Sequence, residues 1–308
     1  MKRNKILVTS ILILVFSHLI KAEDKQPYQN QNIGKLKNDV TFGVIIGGNN
    51  PEKEFKEIKE LGFSHCQLNV TEYTPELAQS IRSSSKKYKV FPTTLICMGP
   101  GKYIWNFIEG PSTIGLIPRE FRTERIKRLY AGIDFCKQAG IPAVHAHFGF
   151  IPENPQDTLY IEFVKLMKEL GEYALSQGID IYFETGQETP ITLLRAITDI
   201  GTGNLFINCD LANLVMYGKS NSLDGLKTLH KYVREIHAKD GLYPINPYQL
   251  GKEMPIPEGE VNFPEIVKYL KEIHFKGTIT IEYELAEKNY DYIVKTKNYL
   301  EKLFQTIE

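Results

Sequence analysis

Cysteine is nearly absent from this sequence: four in 308 residues, at Cys66, Cys97, Cys136 and Cys209. Each stands alone inside an apolar segment and no CxxC pair occurs, which excludes a disulfide scaffold or a zinc knuckle and makes the four buried small hydrophobes. Histidine is sparse too, seven in all with His18 near the N-terminus, too few for a multi-metal cluster built on imidazoles. No glycine-rich phosphate loop and no cluster of Lys and Arg is present, so nothing clamps a phosphate group. Positive charge is not in excess either, since 37 basic residues balance 37 acidic ones. Only one apolar run is long, Ile6 to Ile20, between a basic start and the small Ala22. It falls short of the roughly 20 residues of a membrane span and no stop-transfer pattern follows it, so residues 1–22 read as a secretory signal peptide rather than an anchor. Its removal takes away Lys2, Arg3, Lys5 and Lys21 and no acid, leaving a mature net charge of −4. A mildly acidic, exported chain lacks the electrostatic footprint of a nucleic-acid binder and keeps no stable hold on a membrane. The expected location is periplasmic or secreted.

What is present is a regular alternation. Residues 23–39 are polar and rich in Gln and Asn, a linker ahead of one domain over 40–308. Short apolar runs then alternate with helix-period stretches. The runs are "TFGVIIGG" (41–48), "HCQLNV" (65–70), "KVFPTTLICMG" (89–99), "AVHAHFGF" (143–150), "DIYFETG" (180–186), "LFINCDLAN" (205–213), "VREIHAKDG" (233–241) and "GTITIEYE" (277–284). Several of the intervening helices end at a glycine able to cap them. Eight β-then-α units predict an α/β fold, a single-domain (β/α)8 TIM barrel, with a doubly wound sheet as the structural alternative. Two connections, 99–118 after the third strand and 241–260 after the seventh, are longer than a barrel needs, and both leave the strand ends where barrel enzymes build their sites.

The last four runs end in polar groups: Glu184, Asp210, His237 and Glu282. Each follows apolar residues, so each stands where a barrel interior opens to its mouth. Burying such groups unpaired is costly, and four together call for a shared partner. A single divalent cation resolves the problem. Three carboxylates and an imidazole, without a thiolate, suit Mn²⁺ first, with Mg²⁺, Co²⁺ or Zn²⁺ compatible.

The order Glu, Asp, His, Glu on strands five to eight, together with "HAKD" and "TIEYE", resembles the xylose isomerase-like barrels, the sugar phosphate isomerase/epimerase family, over roughly residues 41 to 304. The resemblance implies that Glu184 and Glu282 both hold the metal and move protons, with Asp210 and His237 as the other ligands. Such a site acidifies the C–H beside a carbonyl through a cation-stabilised enediolate, giving a metal-dependent sugar isomerase or epimerase. A lyase or hydrolase acting on keto-sugars or keto-glycosides uses the same groups. An endonuclease IV-like phosphodiesterase and a non-catalytic carbohydrate-binding barrel are weaker alternatives, the first for want of histidines and of a basic groove. Two departures bear on substrate: "DLAN" puts Asn213 where the family often has a histidine, and Asp240 and Tyr243 stand near the place of a frequent arginine.

Further residues gather round this set. His145 and His147 share strand parity, so both face inward if one does; His147 is the better substrate contact, and His145 is equally a core histidine. Lys239 shares parity with His237 and is placed to bind a substrate oxygen, or simply to pair with Asp240 or Glu260. Gln187 and Glu188 follow Glu184 closely, where a sugar contact and a helix-dipole acid are equally good readings. Glu284 is a rim residue or a partner behind Glu282. Trp105, the one tryptophan, sits with Tyr103 and Phe107 in the 99–118 loop, either as a lid over a sugar ring or as packing. The expected partner is a small-molecule sugar; a homo-oligomer is left open.

Overall fold

Alternation of short buried strands with amphipathic helices produces a closed barrel. The computed structural model describes residues 40–285 and 289–307; the signal peptide expected at 1–22 and the linker expected at 23–39 lie outside the described residues. Eight parallel strands run β1 (Val40–Ile46), β2 (His65–Leu68), β3 (Phe91–Ile96), β4 (Ala143–Ala146), β5 (Asp180–Glu184), β6 (Leu205–Asp210), β7 (Val233–Ala238) and β8 (Gly277–Ile281). They close in order, with β1 bonded to both β2 and β8. That closure establishes the TIM barrel and excludes the doubly wound sheet.

The helices start and stop for local reasons. Thr74, Asp157, Thr189, Asn221 and Asn289 each accept a backbone N–H from the first turn they precede. Gly140 and Gly178 end the helices Arg119–Ala139 and Thr158–Gln177 in the left-handed conformation that glycine adopts without strain. The helix beginning at Phe263 stops earlier than its sequence run suggests, at Glu272, and Gly277 opens β8 instead. None of the four cysteines is in a disulfide, and all four are buried in the core. Among the described residues no helix is long and apolar enough to cross a membrane.

Barrel interiors of this kind are usually filled with Val, Ile and Leu. Here the middle layer is polar: Gln67, Thr94, His145, Asn208, Glu235 and Thr280 are all buried. Alternation along each strand then puts the next inward residue, two positions on, at the mouth.

Two long loops wall that mouth. The 99–118 loop is held by Arg125, fully buried, whose guanidinium donates to the carbonyls of Pro100 (3.1 Å), Lys102 (3.0 Å) and Gly115 (2.7 Å). The 241–260 loop starts with a two-stranded ribbon, Asp240–Gly241 against Glu253–Met254. Asp240 accepts from the N–H groups of Gly241, Gly259 and Val261 at 2.9 to 3.0 Å. Asp240 is therefore a loop clamp, turned away from its neighbours His237 and Lys239.

Candidate metal centre

The register of the barrel brings the four strand-end groups together. Asp210 on β6 and His237 on β7 are direct partners in the sheet, and Glu184 on β5 pairs with Asn208, two residues before Asp210. Glu282 follows β8, its N–H bonded to the carbonyl of Ala238 at 3.2 Å. Glu184, Asp210, His237 and Glu282 each offer one ligand atom, and these atoms lie within 4.8 Å of one another. Asp210 has two tasks, since its Oδ1 caps the short helix Leu211–Met216 through the N–H of Asn213 at 2.7 Å while Oδ2 faces the cluster.

Hydrogen bonds fix which nitrogen of His237 faces inward. The Gln67 amide donates to Glu235 Oε2 at 2.7 Å, so its carbonyl oxygen is left to accept from His237 Nε2–H at 2.8 Å. In the neutral ring that a metal ligand requires, Nδ1 carries a lone pair directed at Glu282 Oε2 (2.9 Å), Glu184 Oε1 (3.2 Å) and Asp210 Oδ2 (3.8 Å). Lone pair against carboxylate is repulsive unless positive charge stands between them. His237 Nδ1 is, moreover, a buried atom without a hydrogen-bond partner. Three carboxylates and a neutral imidazole are a hard O/N donor set, and the residues fit a divalent cation.

Lys239 supplies one positive charge. Its Nζ lies 3.0 Å from Asp210 Oδ2, 2.9 Å from Glu282 Oε2 and 3.5 Å from the exposed Glu284. The pairing with Asp240 or Glu260 considered from sequence does not occur. Three carboxylates against one ammonium leave two negative charges, the complement of a divalent ion. Burial works against ionisation of Glu282, yet the adjacent Lys239 ammonium draws the carboxyl well below the usual range. Burial likewise opposes ionisation of Glu184, and the imidazoles packed against it, His147 foremost, draw it well below the usual range.

The surrounding residues sort themselves by contact. His145 Nε2 lies 2.7 Å from Glu184 Oε2 and 3.3 Å from the Asn208 amide, so it is buried under the site rather than tied to backbone. His147 Nε2 reaches the same Glu184 oxygen at 3.1 Å, and its Nδ1 meets Gln187 at 3.1 Å. The Asn213 amide approaches Glu184 Oε1 at 3.4 Å. Glu188 is buried, and burial pushes its carboxyl up to about 7. Trp105 stands 45% exposed with its ring edge-on to His147 at 4.9 Å, and it stacks on Tyr103. Tyr103 in turn lies under the Arg125 guanidinium. Lid and packing thus coincide. Phe107 packs on Tyr217 instead. Gln67 and Glu235 are the residues that sequence reading missed; their parity with His65 and His237 was the only available signal.

The xylose isomerase-like TIM barrel model matches residues 55–303. The chain belongs to that family. Within this family's fold, the xylose isomerase domain protein from Planctomyces limnophilus superposes with a TM-score of 0.81 at 28% identity, over 88% of this chain and 99% of that one. A D-tagatose 3-epimerase-like protein follows with a TM-score of 0.68 at 21% identity, over 87% and 98% of the two chains. A xylose isomerase-like TIM barrel protein from Mycobacterium smegmatis, solved in complex with magnesium, has a TM-score of 0.64 at 16% identity, over 87% and 98%. A curated relative from Methanocaldococcus jannaschii, itself uncharacterized, is 29% identical over 200 residues, 60% of this chain; the match spans 65% of that relative's length.

Proposed function

We propose that this xylose isomerase-like barrel is a divalent-metal-dependent sugar isomerase or epimerase that moves a proton next to a carbonyl. One observation carries the reading: Gln67 accepts the Nε2–H of His237, which turns Nδ1 toward three carboxylates among which Lys239 is the one ammonium. Glu184, Asp210, His237 and Glu282 would hold the ion, Mn²⁺ by preference, and the magnesium complex of the Mycobacterium smegmatis protein supports a hard divalent cation. Such an ion polarises a carbonyl and stabilises negative charge on its oxygen.

The chain's own groups do the rest. Glu184 and Glu282 are both held ionised and come from strands on different sides of the mouth, so one can take a proton that the other returns to the opposite face. Lys239, 2.9 Å from Glu282, puts fixed positive charge where negative charge would develop on the substrate's oxygen. Asn213, His147 and Gln187 line the other side with donors for hydroxyl groups. Trp105 covers the apolar face of a ring and excludes water. The epimerase-like neighbour of the same fold supports a sugar as substrate, and the leader at 1–22 supports action outside the cytoplasm.

A second reading, elimination from a keto-glycoside, is favoured by Glu188. With its carboxyl near 7 this side chain is partly protonated at neutral pH and equipped to protonate a leaving oxygen. Incubation with Mn²⁺ and either ketoses or 3-keto-glycosides in D₂O tests both. Deuterium is expected beside the carbonyl, and Glu282→Gln should abolish its entry while circular dichroism stays native. Absence of exchange across both substrate classes would overturn the proposal.

A further inference from the structure

A cavity of about 650 Å³ opens between the ends of β2 and β3 and the first turns of the helix Arg119–Ala139, walled by Asn69, Thr71, Ile96, Met98, Glu124 and Lys127 among others. Two of its wall residues lead back to the carboxylate cluster through a neighbour. Ile96 is the sheet partner of His145, which touches Glu184 at 2.7 Å. Asn69 lies two residues beyond Gln67 and so faces the same interior, above the amide that holds His237.

Its size is that of a site for a molecule larger than one sugar ring, since pockets of about 300–1,000 Å³ house drug-sized ligands. Its chemistry narrows the occupant. Lys127 is paired with Glu124 at 2.7 Å. Arg128, also in the wall, donates to the carbonyls of Val70 (3.2 Å) and Thr71 (3.0 Å) and lies 3.5 Å over the Tyr73 ring. Both cations are thus engaged by the protein itself, which disfavours a phosphate or carboxylate guest. What the wall offers instead is an apolar strip, Ile96 and Met98, beside the Asn69 amide and the Thr71 hydroxyl, whose oxygen still accepts while its proton goes to Asn49. That is the complement of a neutral sugar, with a C–H face and a rim of hydroxyls.

We propose that the substrate is a glycoside, with the reacting ring beneath Trp105 and a second, uncharged sugar unit in this cavity. The inference rests on the sugar-carbonyl reading above and names its substrate class. Binding of the remote unit lowers the barrier at the reacting ring.

The test compares 3-ketocellobiose, oxidised on its non-reducing ring, with 3-ketoglucose. In D₂O with Mn²⁺, kcat/KM for deuterium exchange is expected to be at least tenfold higher for the disaccharide. On Glu282→Gln protein, which should bind without exchange, its Kd should be tenfold lower by calorimetry. Met98→Trp and, from the exposed rim, Thr71→Trp should bring both ratios toward one, and circular dichroism identifies a variant that fails to fold. Exchange of 3-ketoglucose with both ratios already near one in the unmodified protein would overturn the second subsite and leave the parent reading standing. A tenfold Kd preference with no exchange on either sugar would do the reverse. Ratios unchanged in both folded tryptophan variants would also overturn the assignment.

Discussion

Gln67 reaches across the barrel interior to residues 168 and 170 positions away, donating to Glu235 and accepting from His237. Groups that orient a metal-binding imidazole typically govern affinity by 10- to 100-fold. Gln67→Leu should weaken Mn²⁺ binding by about that factor in calorimetry, whereas Glu235→Gln keeps an acceptor for the amide and should change it by only a few-fold. Glu188 gives a second prediction. Its folded carboxyl titrates near 7 against an ordinary value of 4.5, because burial disfavours the charged form. A raised carboxyl pKa stabilises the fold fully below the unfolded value and loses that contribution as pH rises through 7. The loss is on the order of 3 kcal/mol, at about 1.4 kcal/mol per tenfold change in the ionisation equilibrium. Urea denaturation should show stability falling between about pH 4.5 and 7 in the unmodified protein and a flatter profile in Glu188→Gln. The four candidate ligands were legible in the sequence because charge at the end of an apolar strand is conspicuous. Gln67 was not, because its partner is defined only once β2 and β7 face each other across a closed interior.

Loops show the same division at the scale of whole elements. The length of 99–118 and 241–260 announced their importance, but not what holds them. Arg125→Met would leave the carbonyls of Pro100, Lys102 and Gly115 without their buried donor. At about 1–3 kcal/mol per unsatisfied group, partly relieved by solvent, a loss of roughly 3 kcal/mol is expected. Limited proteolysis should then cut within 99–118 well before the barrel itself. Strand ends were overestimated for a related reason. The third run was read as 89–99 and the fourth as 143–150, yet the ladders cover Phe91–Ile96 and Ala143–Ala146. Lys89 is the left-handed residue ending the preceding helix, and Phe148 is buried beneath the 99–118 loop, bonded through its carbonyl to Leu116. Apolar character outlasts strand pairing wherever a loop folds back over the mouth.

The molecule as a whole was the most legible level, since eight alternating units admit few closures and the barrel is the one observed. What composition could not reveal is that the interior is polar, because the six residues concerned are spread one or so per strand over 67–280. An ion bound only by the folded barrel stabilises the whole chain. At a hundred times its Kd, Mn²⁺ adds about 2.7 kcal/mol. The unfolding midpoint should rise by roughly 5 °C over chelator-treated protein in calorimetry. The two roles of Asp210 carry a consequence for how such a barrel could change over time. One of its oxygens begins a helix and the other serves the cluster, so a descendant that discards the chemistry still needs a short acceptor at this junction. Asparagine meets that need and removes the negative charge. A sister sequence with asparagine here would be a well-folded relic, its architecture intact and its reaction gone.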